Sequence, residues 1–475
     1  MNDRFGLPMG TNSPQAADHY SEGLDMILSQ QYGAEEEFQE AVEADEGFAL
    51  AHAAKAYVQM IRVAVPEARE SASRASALTS GASRRIRQHV ETIELFTQGK
   101  NQESYTLLRQ HIGDFPGDAL MLRVAQRLMV QGCTGAGVAN YPPIFYDLMK
   151  SVEPRYRDDW SFMGLYSWAT HEVGMLEEGM RLAQRSLEIR PDNAVAAHSV
   201  AHVHFETGDI SQGADFLGDW LEGFDRRVAY RVHLSWHQAL FQLAMGRYTN
   251  ALSLYENDIH PAVAAKSYQA LADSASLCWR MYIYGNTAPV VPWGDLVELA
   301  APAAQRPGPS FRDAHAALAF TAAGDEASMD KLIDGLKDLS DKGSAVATEC
   351  MLPLVQGIAA FGRGEYSEAA QLIGPVFPQL TRVGGSHAQR EVFEDTLLEA
   401  YLRAEQFDKA ETMLRERLSR RETPRDNFWI ARVQADTGKP ENAKASLGLA
   451  AQAWQSADED SPEFSAFNRL SERVA

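Results

Sequence analysis

The amino-acid sequence predicts an all-α chain of stacked helical hairpins, a right-handed α-solenoid closed around a central pocket. Three observations carry this. Small and aromatic residues return at fixed offsets along the chain, Gly and Pro breaks separate segments of helical period, and no run of alternating β-branched residues lies between turn dipeptides.

The clearest window begins at Ala194. Ala201 falls where a first helix needs a small residue, Gly208 at the turn, Gly213 at a close helix contact and Leu217 on the second helix. The preceding unit ends at Leu187 to Asn193, where Pro191 stops a helix and Asp192 and Asn193 suit the cap of the next. A second window starts near Val232, with Ala239, Gly246, Tyr248, Ala251 and Tyr255 at the matching offsets. Gly99 to Pro116, Gly364 to Ala369 and Gln406 to Leu414 repeat the register, and weaker copies surround Phe38–Ala41, Asp313–Gly324 and Ala431–Gly438. This is the pattern of the 34-residue tetratricopeptide hairpin, which buries its apolar face only against its neighbours. One repeat domain is therefore expected over 1–475, with an amino-terminal segment at 1–14 and an acidic carboxyl-terminal segment at 455–475. Gly132 to Pro154 and the Pro-rich stretch 287–309 break the rhythm and read as longer connections.

Composition agrees with a large folded chain: 475 residues, 45% hydrophobic. Forty-four Lys and Arg stand against 65 Asp and Glu, a formal charge of −21 that repels a phosphate backbone, so no nucleic-acid partner is expected. Arg84, Arg85 and Arg87 come nearest to a basic stripe and read as solvated or acid-paired. Cys133, Cys278 and Cys350 are far apart with no CxxC, which fits a reducing compartment. With no signal-peptide pattern and no membrane-length apolar run, the cytoplasm is expected and a membrane is not.

In such a hairpin the first helix lines the concave surface with its second, fifth, ninth, twelfth and thirteenth residues. From Ala194 these are Val195, His198, His202, Phe205 and Glu206; from Val232 they include His233 and Trp236, with His237 at the edge. Four of 13 histidines thus fall on two consecutive hairpins. Two readings stand together. Imidazoles at i and i+4 on neighbouring helices can chelate a divalent metal, with Glu206 or Asp313 as ligand or base; alternatively they form a polar, metal-free pocket. Farther on, Gly384-Gly385-Ser386 precedes a helix start whose N–H groups suit a carboxylate or a plain cap, with Gln389 and Arg390 beside it as donors.

Several stretches go beyond the generic repeat: Gly6 to Ser13, Arg84-Arg85 through His89 and Phe96, His198 to His204, His233 to Leu240, Asp273 to Leu277, Asp313 to His315, and Gly384 to Phe393. In these the chain resembles the tetratricopeptide repeat protein 38 family, as a bacterial member. The resemblance implies a closed superhelical repeat fold and no particular reaction. Ser235 and Gln238 depart from it, standing where bulkier aromatic residues are usual, which opens or polarises the pocket wall.

Polar residues of the matching stretches are expected around one cavity: Thr11, the four histidines, Asp273, Asp313, His315, Ser386, Gln389 and Arg390. Three functions follow. The first is a scaffold binding a small polar or acidic ligand or peptide in this His/Trp/Arg-lined pocket. The second is a small-molecule enzyme, with or without a metal, using His198, His202, His233 and His237 as ligands or acid/base groups and Asp313 to orient one. The third is a protein–protein scaffold.

Overall fold

Serine, threonine and aspartate side chains begin several helices, as in the caps of Ser13, Ser83, Asp159, Thr423 and Ser461 on the N–H groups of the following turn. The computed structural model describes residues 1–285 and 289–475, and among them only helices and connecting turns occur, apart from one isolated bridge between Asn2 and Pro8. The chain forms two compact units: Met1–Val200 with Phe224–Tyr230, and Ala201–Gly223 with Arg231–Ala475.

In the first unit consecutive helices pair as hairpins, beginning Pro14–Ser29 with Ala34–Ala44 and Ala49–Ile61 with Val65–Ala77. The last is Trp160–His171 with Leu176–Ile189. Phe38 and Ala41 are fully buried, as the repeat register requires. The expected amino-terminal segment is tied down by polar contacts: the Arg85 guanidinium donates to the Pro8 carbonyl at 2.7 Å and the Thr11 hydroxyl to Asp45 at 2.5 Å. Arg85 also pairs with Asp118, whose same oxygen meets His89 Nδ1 at 2.9 Å and His111 Nε2 at 3.1 Å. Arg84 pairs with Asp114, so two of the three stripe arginines hold acids.

The two clearest repeat windows fall mostly, from Ala201 on, in the second unit. The Ala194–Thr207 helix starts at the expected residue, and the Tyr230–Ala244 helix starts two residues before its window. Gly208 and Gly246 sit in the left-handed region (φ +83° and +74°) that only glycine occupies without strain, and each turns the chain into the next helix. Gly213 is a contact glycine: a Cβ there would stand 2.5 Å from the Phe241 ring and 2.9 Å from the His204 Cβ.

Two expectations are corrected. Gly132 to Pro154 is mostly helix, Tyr141–Tyr156, because Pro142 and Pro143 sit in the first turn where no N–H partner is lost. The 287–309 stretch holds the Trp293–Gln305 helix, with Pro302 inside it, so connection remains only at its ends; Thr287 lies outside the described residues. The acidic carboxyl-terminal segment is built into the fold. Thr249 N–H donates to the Asp458 carboxylate at 2.7 Å, Asp458 N–H to the Gly246 carbonyl at 3.1 Å, and Pro462–Val474 is a helix.

The early and late residues of the second unit meet. Glu206 holds His387 at 2.8 Å, Arg421 donates to the Phe205 carbonyl at 3.1 Å, and Arg425 to that of Leu243 at 2.8 Å. This unit therefore closes on itself. The Ala270–Gly285 helix packs against His387–Arg403, with Trp279 bonded to Thr396 at 2.9 Å and Tyr284 to Asp395 at 2.6 Å.

Candidate functional site

His202 projects from the Ala194–Thr207 helix, and His233 and His237 one turn apart from the Tyr230–Ala244 helix. The His202 and His237 rings lie 4.5 Å apart between centroids and those of His233 and His237 4.8 Å apart. Each residue offers a ligand atom within 4.8 Å of the others. In a tetrahedral site with Zn–N arms of 2.0–2.1 Å, ligand nitrogens stand about 3.4 Å apart. His198 precedes His202 by four residues on the same helix and so shares its face; its ring packs edge-on to Tyr230 at 5.5 Å.

The support around these rings is specific. Both oxygens of the Asp273 carboxylate stand 3.1 Å from His233 Nδ1, so the acid favours the tautomer protonated there. Trp236 is fully buried, stacks on His233 at 5.3 Å and donates its indole N–H to Ser276 at 3.1 Å. The solvent-lined face expected here is corrected: Val195, Phe205, His202 and His237 are all buried, His202 completely. Gly213 lets the helices approach, since a Cβ there would stand 2.5 Å from the Phe241 ring.

Other sequence candidates take different partners. Asp313 does not orient a histidine: its carboxylate accepts from Gly308 N–H at 2.6 Å and from Arg312 at 2.7 Å, and burial pushes its pKa up to about 6 in spite of that arginine. His315 turns back on its own helix, with Nδ1 2.7 Å from the Phe311 carbonyl, and burial brings it down to about 4. Glu206 pairs with His387, not with the clustered histidines. Burial alone would raise its carboxyl, but the charge and hydrogen bond of His387 outweigh that and hold it at about 2. Ser386 and Gln389 form a reciprocal capping box, so the plain-cap reading stands at that helix start. Arg390 donates to the Gly385 carbonyl of the same loop.

The sequence reading missed a buried ionic network. Glu391 takes Arg421 and, at 3.6 Å, Arg417; Arg417 also holds Asp395 at 2.7 Å and Asp426 at 3.0 Å. Arg425 grips Glu463 through two bonds of 2.7 and 2.9 Å. A signal was present: Arg417, Arg421 and Arg425 are spaced by four, as are Glu391 and Asp395, two stripes of opposite sign.

No family model matches the sequence. Among solved structures, human IFIT1, crystallised as a dimer with PPP-AAAA, aligns at 12% identity and a TM-score of 0.42 over 96% of this chain and 98% of that one. Yeast Tom70 aligns at 12% and 0.30 over 97% and 88%. A tetratricopeptide repeat protein from Parabacteroides merdae aligns at 12% and 0.28 over 66% and 98%. The hairpin order and turn glycines described above make this chain an all-α scaffold of tetratricopeptide-like repeats.

Proposed function

We propose that this chain is a tetratricopeptide-type binding scaffold that holds a divalent transition-metal ion through His202, His233 and His237. The observation that carries the reading is the meeting of three imidazoles from two helices, one of them held by the Asp273 carboxylate. An all-nitrogen set suits Zn(II), Ni(II) or Cu(II) over Mg(II) or Ca(II), which take oxygen. A three-histidine ion keeps a position open, and there it would take the small polar or acidic ligand that the sequence anticipates.

The same proposal places the chain in the cytoplasm, as a bacterial member of the tetratricopeptide repeat protein 38 family. Its charge of −21 disfavours a nucleic-acid partner. Among the described residues no helix is long and apolar enough to cross a membrane.

The test is zinc content by mass spectrometry after EDTA treatment, reloading with zinc sulfate and gel filtration. One ion per chain is expected, with the unfolding temperature raised by zinc and restored by EDTA. His202→Ala and His237→Ala should lose the ion, and Asp273→Asn should weaken it about 10- to 100-fold, as removal of an outer-shell carboxylate does. Wild-type zinc no higher than that of the His202→Ala and His237→Ala variants, with no thermal response, overturns the proposal.

A further inference from the structure

A cavity of about 40 Å³ in the second unit is lined by the apolar side chains of Phe205, Leu240 and Leu243 and by Arg280, Arg417, Arg421 and Arg425. Arg280 connects it to the histidine layer, its guanidinium standing 5.7 Å over the Trp236 ring. Two acids, Glu391 and Asp395, also reach the cavity, and the assignment of charges among them decides what it can hold.

Each of the other three arginines has a close carboxylate. Arg421 has Glu391, Arg417 has Asp395 and Asp426, and Arg425 has Glu463. Arg280 does not. Its Nη2 donates to the Ala388 carbonyl at 2.7 Å, its nearest acid is Asp395 at 3.9 Å, and that carboxylate is already bonded by Arg417 at 2.7 Å and Tyr284 at 2.6 Å. The Nη1 of Arg280 has no hydrogen-bond partner, although the residue is only 1% exposed. A buried guanidinium nitrogen left without a hydrogen-bond partner is costly, and a bound anion would offset that cost.

We infer that this cavity binds the carboxylate of a short-chain organic acid, its oxygens on Arg280 and its hydrocarbon end against Leu240, Leu243 and Phe205. The planar fork of Arg280 suits a carboxylate. The volume fits a few water-sized groups, since one water needs about 10–15 Å³. The apolar wall separates this ligand from a bare inorganic anion, which would gain nothing from it.

The experiment is titration calorimetry and thermal unfolding of the full chain with propionate, propionamide and inorganic phosphate. EDTA-treated protein is used, so that a metal on the histidines cannot be the acceptor. Propionate is expected to bind saturably and raise the unfolding temperature, while propionamide and phosphate do neither. Arg280→Lys should weaken propionate at least tenfold. Leu240→Phe, which narrows the apolar end and leaves every charge in place, should weaken propionate more than formate, and decides the matter if the Arg280 variant does not fold. Absence of saturable propionate binding means that the cavity holds water and overturns the inference. Equal binding of propionamide removes the role of charge, and equal binding of phosphate removes that of the apolar wall; either result also overturns it.

Discussion

Glu463 offers a direct measure of what the ionic network contributes. It is 1% exposed, accepts both bonds of the Arg425 fork and takes the Tyr248 hydroxyl at 2.9 Å. Arg425 in turn bonds the Leu243 carbonyl and lies 3.6 Å over the Tyr284 ring, so one acid joins the Pro462–Val474 helix to four other helices. Glu463→Gln removes the charge and leaves the shape. Arg425 then remains buried without its counterion, and removing one partner of a buried pair costs about 3–5 kcal/mol. Tm changes by roughly 2 °C per kcal/mol in large domains, which places the expected fall at about 6–10 °C. Differential scanning calorimetry with urea unfolding reads both quantities. Arg425→Met with Glu463→Met, which removes both charges at similar volume, should recover most of the loss, because the cost lies in the orphaned ion. A loss below about 1 kcal/mol for Glu463→Gln, or a double variant worse than the single one, would refute the reasoning, since the pair would then behave like an exposed surface bridge.

The His387–Glu206 contact predicts a pH window. The Glu206 carboxylate raises the His387 pKa against the opposing effect of burial, so its stabilisation is complete below the unfolded value of about 6.5 and is lost as pH climbs through the folded one. Glu206 is lowered to about 2, so its share is complete above about 4.5 and fades as pH falls toward 2. The groups facing His387 are Glu206, Glu394 at 3.7 Å and Glu391, the last held by Arg421. His387→Gln should therefore flatten urea stability between pH 6 and 8, where the wild type declines; parallel curves would refute this. Gly213→Ala should destabilise by about 1–3 kcal/mol in urea unfolding, because its methyl meets Phe241 and His204 inside normal contact distance, and an unchanged midpoint would show that the helices separate freely.

What was legible in the sequence was the local order. Gly208, Gly246 and Gly213 mark turns and a close contact through their missing side chain, which depends only on neighbours in the same hairpin. The facing of His233 and His237 follows likewise from helical period. Proline misled where its count stood in for its position: Pro142 and Pro143 open a helix, and Pro302 sits inside one. Asp313 was assigned to the histidines because the pattern records spacing and not the direction of a carboxylate, which here is fixed by the N–H of Gly308.

Burial was illegible for a different reason. Glu206 and His387 are 181 positions apart, and Arg425 reaches Leu243 across 182, so no periodic rule links them. Those contacts close the second unit, and closure turns a face expected to meet solvent into an interior. An interior must satisfy its charges, which is why the four-residue stripes of Arg417, Arg421 and Arg425 and of Glu391 and Asp395 belong inside and not on the surface. Once they are inside, the partners become informative: every arginine of the cavity wall bonds a carboxylate directly except Arg280, whose Nη1 is left without a hydrogen-bond partner, and that buried nitrogen is what marks the cavity as a place for an acid from outside.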